Sequence, residues 1–181
     1  MTERQSIRVP EVLIPYTSEH DEKTVGWLNS ADIQATFGRR PAISLDAHRR
    51  WVQAATDTRI WAILEPAGQH VGNVLLKINE RHHSGYFQIY IGEPSARGLG
   101  LGERAFLAAL KAAYEEHGLH RVWLHTFAEN ARAEALYQKH GFVLEGVERE
   151  ALWMDGAYVS QRRWSLLANE WRAAIGVGAQ P

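Results

Sequence analysis

The 181-residue chain contains no cysteine. That excludes disulfides, thiolate nucleophiles and cysteine-ligated zinc. It lacks a charge excess of either sign, because 20 Lys and Arg face 21 Asp and Glu for a formal net charge of -1. No basic surplus is there to hold nucleic acid, and no acidic tail to act as a solvating arm. No apolar run approaches the roughly 20 residues of a membrane-spanning helix. Met1 to Pro10 carries no apolar segment of the secretory type. The expectation is a cytoplasmic protein without nucleic-acid or membrane partners.

What is present is an ordinary globular balance, 45% hydrophobic and 23% charged. The length suits one domain with one sizeable core. A single domain over residues 1–175 is expected, followed by a short flexible tail, 176–181. Seven tryptophans are scattered without a repeat, and most are expected in the core or in groove walls.

The periodicity orders the elements. Ile7 to Tyr16, with Val12-Leu13-Ile14, reads as a first strand, and His20 to Phe37 as one or two short helices with Ser30 as a cap. Ser44 or Asp46 opens a helix to about Ala55, with Leu45, Trp51, Val52 and Ala55 as its buried stripe. Arg59–Leu64, His70–Ile78 and Tyr86–Ile91 are strand signals joined by short turns, an antiparallel meander. Then the period changes. Phe106, Leu110 and Tyr114 recur every four residues in a helix from Gly102 to His117, with Gly118 behind it as a stop. Val122–Phe127 is a strand, Asn130 caps a helix ending at Gly141, and Phe142–Val147 and Tyr158–Leu166 flank a turn at Asp155-Gly156. The order predicts an α/β (α+β) mixed sheet flanked by helices.

The chemistry concentrates where the strand Tyr86–Ile91 runs through Gly92-Glu93-Pro94-Ser95-Ala96 into Arg97-Gly98-Leu99-Gly100-Leu101-Gly102 and straight into a helix. A helix start carries N–H groups without backbone partners and the positive end of its dipole. Glycines let the main chain approach a phosphate, and Arg97 adds a cation. A pyrophosphate suits such a cradle. The P-loop pattern fails because Gly102 is followed by Glu103-Arg104, and the dinucleotide fingerprint fails because position 103 is Glu.

Arg-x-x-Gly-x-Gly between a strand and a helix resembles motif A of the GNAT acetyltransferases. Asn130-Ala131-Arg132-Ala133-Glu134-Ala135-Leu136-Tyr137-Gln138-Lys139-His140-Gly141-Phe142 resembles motif B of that family. The segment from Phe142 to Arg149, with Asp155-Gly156-Ala157-Tyr158, is similar to the Rim-type branch that acetylates ribosomal-protein N-termini. The resemblance spans about residues 58–166. It implies the GNAT fold, a mostly antiparallel sheet whose strands splay at a CoA cleft, and an enzyme moving an acetyl group from acetyl-CoA to a primary amine by direct attack. It also implies roles. Main-chain groups at Ile91 and Gly92 would bind the pantetheine arm, and the turn Arg97, Gly98, Leu99, Gly100, Leu101 and Gly102 the pyrophosphate. Asn130 would hold the arm, and Tyr137 would protonate the leaving thiolate. Homodimers are common in the family, which leaves a homodimer open here.

Direct attack requires a neutral amine, so something must take its proton. Glu93, at the end of the strand, is the first candidate, ahead of His48 and His125. Trp27, His48 and Trp51 are candidates for the acceptor site, which in this family is formed largely by N-terminal helices. The nine histidines show no metal-ligand spacing, and no metal is expected. The acceptor stays open between a protein N-terminus and a small amine. Trp27-Leu28-Asn29 and Ile43 to Trp51 also resemble amino-sugar-nucleotide acetyltransferases. A non-catalytic acyl-CoA-binding module of the same fold is the alternative from another class.

Overall fold

The computed structural model describes residues 12–38, 41–127 and 130–176. The expected strand residues Ile7 to Glu11 and tail residues 177–181 lie outside that set. Among the described residues seven strands form one sheet: β1 (Leu13–Pro15), β2 (Thr58–Leu64), β3 (His70–Asn79), β4 (Ser84–Ile91), β5 (Arg121–Phe127), β6 (Val143–Met154) and β7 (Ala157–Leu167). Their spatial order is β1-β2-β3-β4-β5-β7-β6. All neighbours are antiparallel except β4 and β5. This is the mixed α/β sheet of the GNAT fold, with helices on both faces.

Helices α4 (Leu101–Lys111), α5 (Ala131–Lys139) and α6 (Ala168–Ala174) share one face. There Phe106 meets Phe87 and Tyr137, and Tyr114 stacks on Trp171. Phe87, Phe106, Leu110, Val122, Leu124 and Leu166 are almost wholly buried and form the centre of the core. Apolar burial on this face is the main term holding α4 to the sheet. The helix passes into a π-helical turn, Ala112–Glu116, and the chain then reverses at Gly118 with φ of 60°.

Helices α1 (Asp21–Leu28), α2 (Ala31–Phe37) and α3 (Leu45–Ala54) lie on the other face. Trp27 of α1 and Phe37 of α2 both pack edge-on against Tyr90 of β4. Ser44 caps α3 through its Oγ, which accepts from the Ala47 N–H. Ser30 stands at the start of α2 but spends its hydroxyl on the Trp27 carbonyl, at 2.6 Å. The predicted apolar stripe of α3 needs correction. Trp51 is 46% exposed, and the buried residue of this helix is His48. Its partner surface is polar: His48 Nε2 lies 2.9 Å from the Tyr16 hydroxyl and 3.5 Å from Asp21. Hydrophobic periodicity cannot anticipate a helix docked through such a network.

The final hairpin is longer than the pattern suggested. β6 begins at Val143 and runs to Met154, with register shifts after Leu144 and Glu148. Asp155 and Gly156 have φ of 51° and 82°. Positive φ at both central residues is the geometry of a two-residue hairpin loop. β6 is a sheet edge.

Candidate active site

β4 and β5 pair only at Ser84 to Tyr86 against Arg121 to Trp123. Beyond that point the strands part. The gap opens into a cleft of about 870 Å³, lined by β4 from Tyr86 onward, by His125–Phe127 and by the start of α4. Asn130 and Tyr137, on the α5 side, complete the wall. The alternation of β4 assigns its two faces. Phe87 and Ile91 approach α4, whereas Tyr90 faces α1 and α2.

The glycine turn has the backbone an anion cradle needs. Gly98 and Gly100 have φ of 81° and 75°, in the left-handed region that side chains with a Cβ avoid. Gly100 occupies the N-cap position of α4, so the first-turn N–H groups of that eleven-residue helix have no intrahelical acceptor. A Cβ at Gly98 or Gly100 would meet nothing within 4 Å. The space beside the turn is open to a bulky, charged group, and an acyl-CoA fits the cleft on these terms. Gly98, Gly100, Leu101 and Gly102 line it; Leu99 is 65% exposed and is not among the lining residues.

Arg97 lines the cleft but is not a free cation. Its Nη1 lies 2.6 Å from Asp32 of α2, and its Nε and Nη2 donate to the carbonyls of Ile91 and Gly92 at 3.0 and 3.1 Å. It braces α2 and the end of β4 to the turn. The Ile91 and Gly92 carbonyls, part of the main chain expected to meet pantetheine, each accept a hydrogen bond from Arg97. The same wall holds Arg132 and Lys139, which the sequence did not single out; Lys139 and His140 both contact Glu103, at 2.8 and 2.7 Å.

Asn130 caps α5 by accepting from the Ala133 N–H at 3.2 Å. That leaves its amide donors available. Tyr137 is buried against Phe106 and Phe142, and burial pushes its phenol well above the usual tyrosine range. It stays protonated at neutral pH. Glu93 is placed differently from the other predicted residues. It is not among the cleft-lining residues, and its carboxylate accepts from the Ser95 hydroxyl at 3.2 Å. His125 does line the cleft, with Nε2 3.2 Å from Glu148 Oε2. Glu148 also accepts from Gln161 at 2.6 Å and pairs with Arg163, and these contacts, led by Gln161, hold its carboxyl below the usual range. His125 also packs on Tyr86 and Trp123.

A second cavity of about 430 Å³ abuts the first and shares Phe37, Gln88 and Tyr90 with it. His48 and Trp51 line this cavity. Trp27 does not; it lies over Gly92, where a Cβ would come within 2.1 Å of the indole. Asn73 and Gln88 escaped the sequence reading because isolated amides on strands carry no motif. Among the described residues no group of three histidines or acids is arranged to hold a metal ion, and no helix is long and apolar enough to cross a membrane.

Comparison with known proteins bears on this geometry. A family profile described as an acetyltransferase (GNAT) domain matches residues 12–143. The spermidine N(1)-acetyltransferase of Vibrio cholerae is 30% identical over 126 residues, covering 70% of this chain and 67% of that protein. The mycothiol acetyltransferase of Salinispora tropica is 36% identical over 110 residues, which cover 58% of this chain but only 35% of that protein. The crystal structure of the Vibrio cholerae spermidine N-acetyltransferase with CoA and spermine superposes with a TM-score of 0.83 at 26% identity, covering 88% of this chain and 96% of that one. The splayed strands, the glycine turn at the start of α4 and these matches agree: the chain belongs to the GNAT family and is an acetyl-CoA-dependent acetyltransferase acting on an amine.

Proposed function

We propose that this chain N-acetylates a small primary amine by direct transfer. The observation that carries the reading is the second cavity, a pocket of small-molecule size that opens onto the cleft at Gln88 and Tyr90. A protein N-terminus, the acceptor implied by the Rim-type resemblance, calls for an open track. Here the β6–β7 tip comes up to the end of α2, with Met154 Sδ 3.5 Å from where a Gly38 Cβ would stand. An amino-sugar nucleotide is a second small acceptor; a co-structure with acceptor bound would separate it from simpler amines.

When bound, acetyl-CoA supplies an activated acyl thioester. The first-turn N–H groups of α4 and the turn Gly98–Gly102 hold its pyrophosphate, and Asn130 offers its amide to the arm. Tyr137 keeps a proton at its hydroxyl for the leaving thiolate, and its burial supports that role. For the amine's proton the geometry favours His125 over Glu93, since His125 lines the cleft and Glu93 does not. Glu148 stands beside His125, with its Oε2 3.2 Å from the imidazole Nε2.

Thiol release from acetyl-CoA with an amine panel tests the function, and two variants test the roles. Tyr137→Phe keeps the ring and loses the proton, so kcat is expected to fall by about 100-fold. His125→Asn removes the basic ring nitrogen and is expected to lower kcat by at least about tenfold. Full activity in Tyr137→Phe would remove the acid role. A loss in Glu93→Gln but not in His125→Asn would return the base to Glu93. Binding of CoA without turnover of any amine would favour the non-catalytic module. For a homodimer we propose the β6 edge, supported by the exposed Val143, Val147 and Trp153; light scattering of Val147→Lys against the parent chain tests it.

A further inference from the structure

The acceptor pocket differs in chemistry from what a polycation needs. Among the described residues no carboxylate lines it. Its walls are largely apolar, with Leu28, Ile43, Ile60 and Leu75, and Trp51 stands exposed among the lining residues. Several of the polar groups on its surface are engaged in hydrogen bonds. Asn73 donates to Thr24 and Tyr90 and meets His70 through its carbonyl, at 2.8, 2.7 and 2.8 Å. The Tyr16 hydroxyl lies between Asp21 and His48.

Asp21 contacts this wall through Tyr16 and His48, and it is not free to receive an ammonium. It is 2% exposed, accepts from Tyr16 on one oxygen and pairs with Arg49 on the other at 3.0 Å. His48 faces the cavity as a neutral imidazole, because burial pulls its pKa down. In the neighbouring cleft, Asp32 is paired with Arg97, and Glu103 with Lys139 and His140. A second ammonium carried into the pocket would lose its hydration and find no counter-charge. An uncharged apolar group would lose nothing and would bury its surface against the aliphatic walls.

We propose that the 430 Å³ pocket selects a primary monoamine with an uncharged, apolar body, an arylalkyl- or alkylamine, and discriminates against polyamines. The proposal rests on the reading of this chain as a small-amine acetyltransferase. It separates the chain from relatives whose names specify spermidine, although the fold and the donor cleft are shared. The reacting amine would be presented at Gln88 and Tyr90, where the two cavities meet, with the apolar body behind it.

The test measures kcat/KM for 2-phenylethylamine, hexylamine and spermidine by thiol release from acetyl-CoA. The two monoamines are expected to exceed spermidine by at least about tenfold. A carboxylate in the pocket should reverse the order: Leu75→Glu places one in the wall, and Trp51→Glu places one at an exposed position that the fold tolerates. Either variant, shown folded by its thermal melt, should gain on spermidine and lose on 2-phenylethylamine. A parent enzyme that prefers spermidine overturns the pocket assignment and leaves the small-amine function standing. Turnover of none of the three overturns the pocket assignment, and turnover of no amine in the wider panel, with CoA still raising the melting temperature, overturns the function with it. Folded variants with unchanged selectivity would show that this cavity does not hold the acceptor.

Discussion

At the scale of single residues, the site depends on atoms that are missing. Gly92 has no Cβ, and the indole of Trp27 occupies that space at 2.1 Å. Gly92→Ala must push the ring aside or move β4, at a cost of about 1–3 kcal/mol. Urea denaturation should show that loss, and Trp27→Leu in the same chain should recover part of it. An unchanged midpoint in Gly92→Ala would mean that α1 is free to shift. Trp27 therefore sets the position of the strand end and is not among the residues lining either cavity. Nothing in the sequence distinguished a groove wall from a ring seated on a glycine, because the two differ only in which backbone passes beneath. Arg97 teaches the same lesson. Its place in motif A was legible, but its engagement with Asp32 and two carbonyls follows from α2 packing beside the turn.

At the scale of elements, the start of α4 joins local geometry to donor binding. Gly100 is both the N-cap of the helix and a left-handed residue. Gly100→Ala is expected to destabilise the chain by about 1–2 kcal/mol through that φ alone. It should also raise KM for acetyl-CoA, because a strained cap misaims the first-turn N–H groups. Isothermal titration with CoA checks the second effect independently of folding; full affinity would show that the cap relaxes without moving those groups. Most elements were readable from periodicity, including the meander, α4 and the Asp155-Gly156 hairpin. The reading faltered at α3, where the buried residue is His48 and not Trp51. Amphipathic patterning assumes an apolar partner face, and α3 meets a tyrosine and an aspartate through its own His48 and Arg49.

At the scale of the whole molecule, that buried polar network makes stability depend on pH. Burial lowers the pKa of both His48 and His70 from the ordinary value of 6.5. Above about pH 6.5 both histidines are neutral whether the chain is folded or not, and their contribution is constant. As pH falls below that value, the unfolded chain takes up protons that the folded chain refuses, so stability falls until the lowered folded pKa values are reached. Thermal melts should show a falling Tm between pH 7.5 and 5.5, with a shallower slope in His48→Gln. A flat or rising profile would contradict the neutral, buried assignment.

The sequence by itself determined the family, the order of the elements and the acetyl donor. Those rest on local features: a glycine turn entering a helix, a capped helix bearing Tyr137, and the periods of 2 and 3.6 that sort strands from helices. The tertiary structure decided which side chains share a cavity. It left Glu93 outside the cleft and His125 inside it. It also closed a pocket from β2, β3, β4 and the N-terminal helices whose charges were already paired. Such pairing joins residues tens of positions apart, as Asp21 with Arg49 and Asn73 with Thr24. No local pattern encodes it, and for that reason the chemistry of this pocket exists only in the packed molecule.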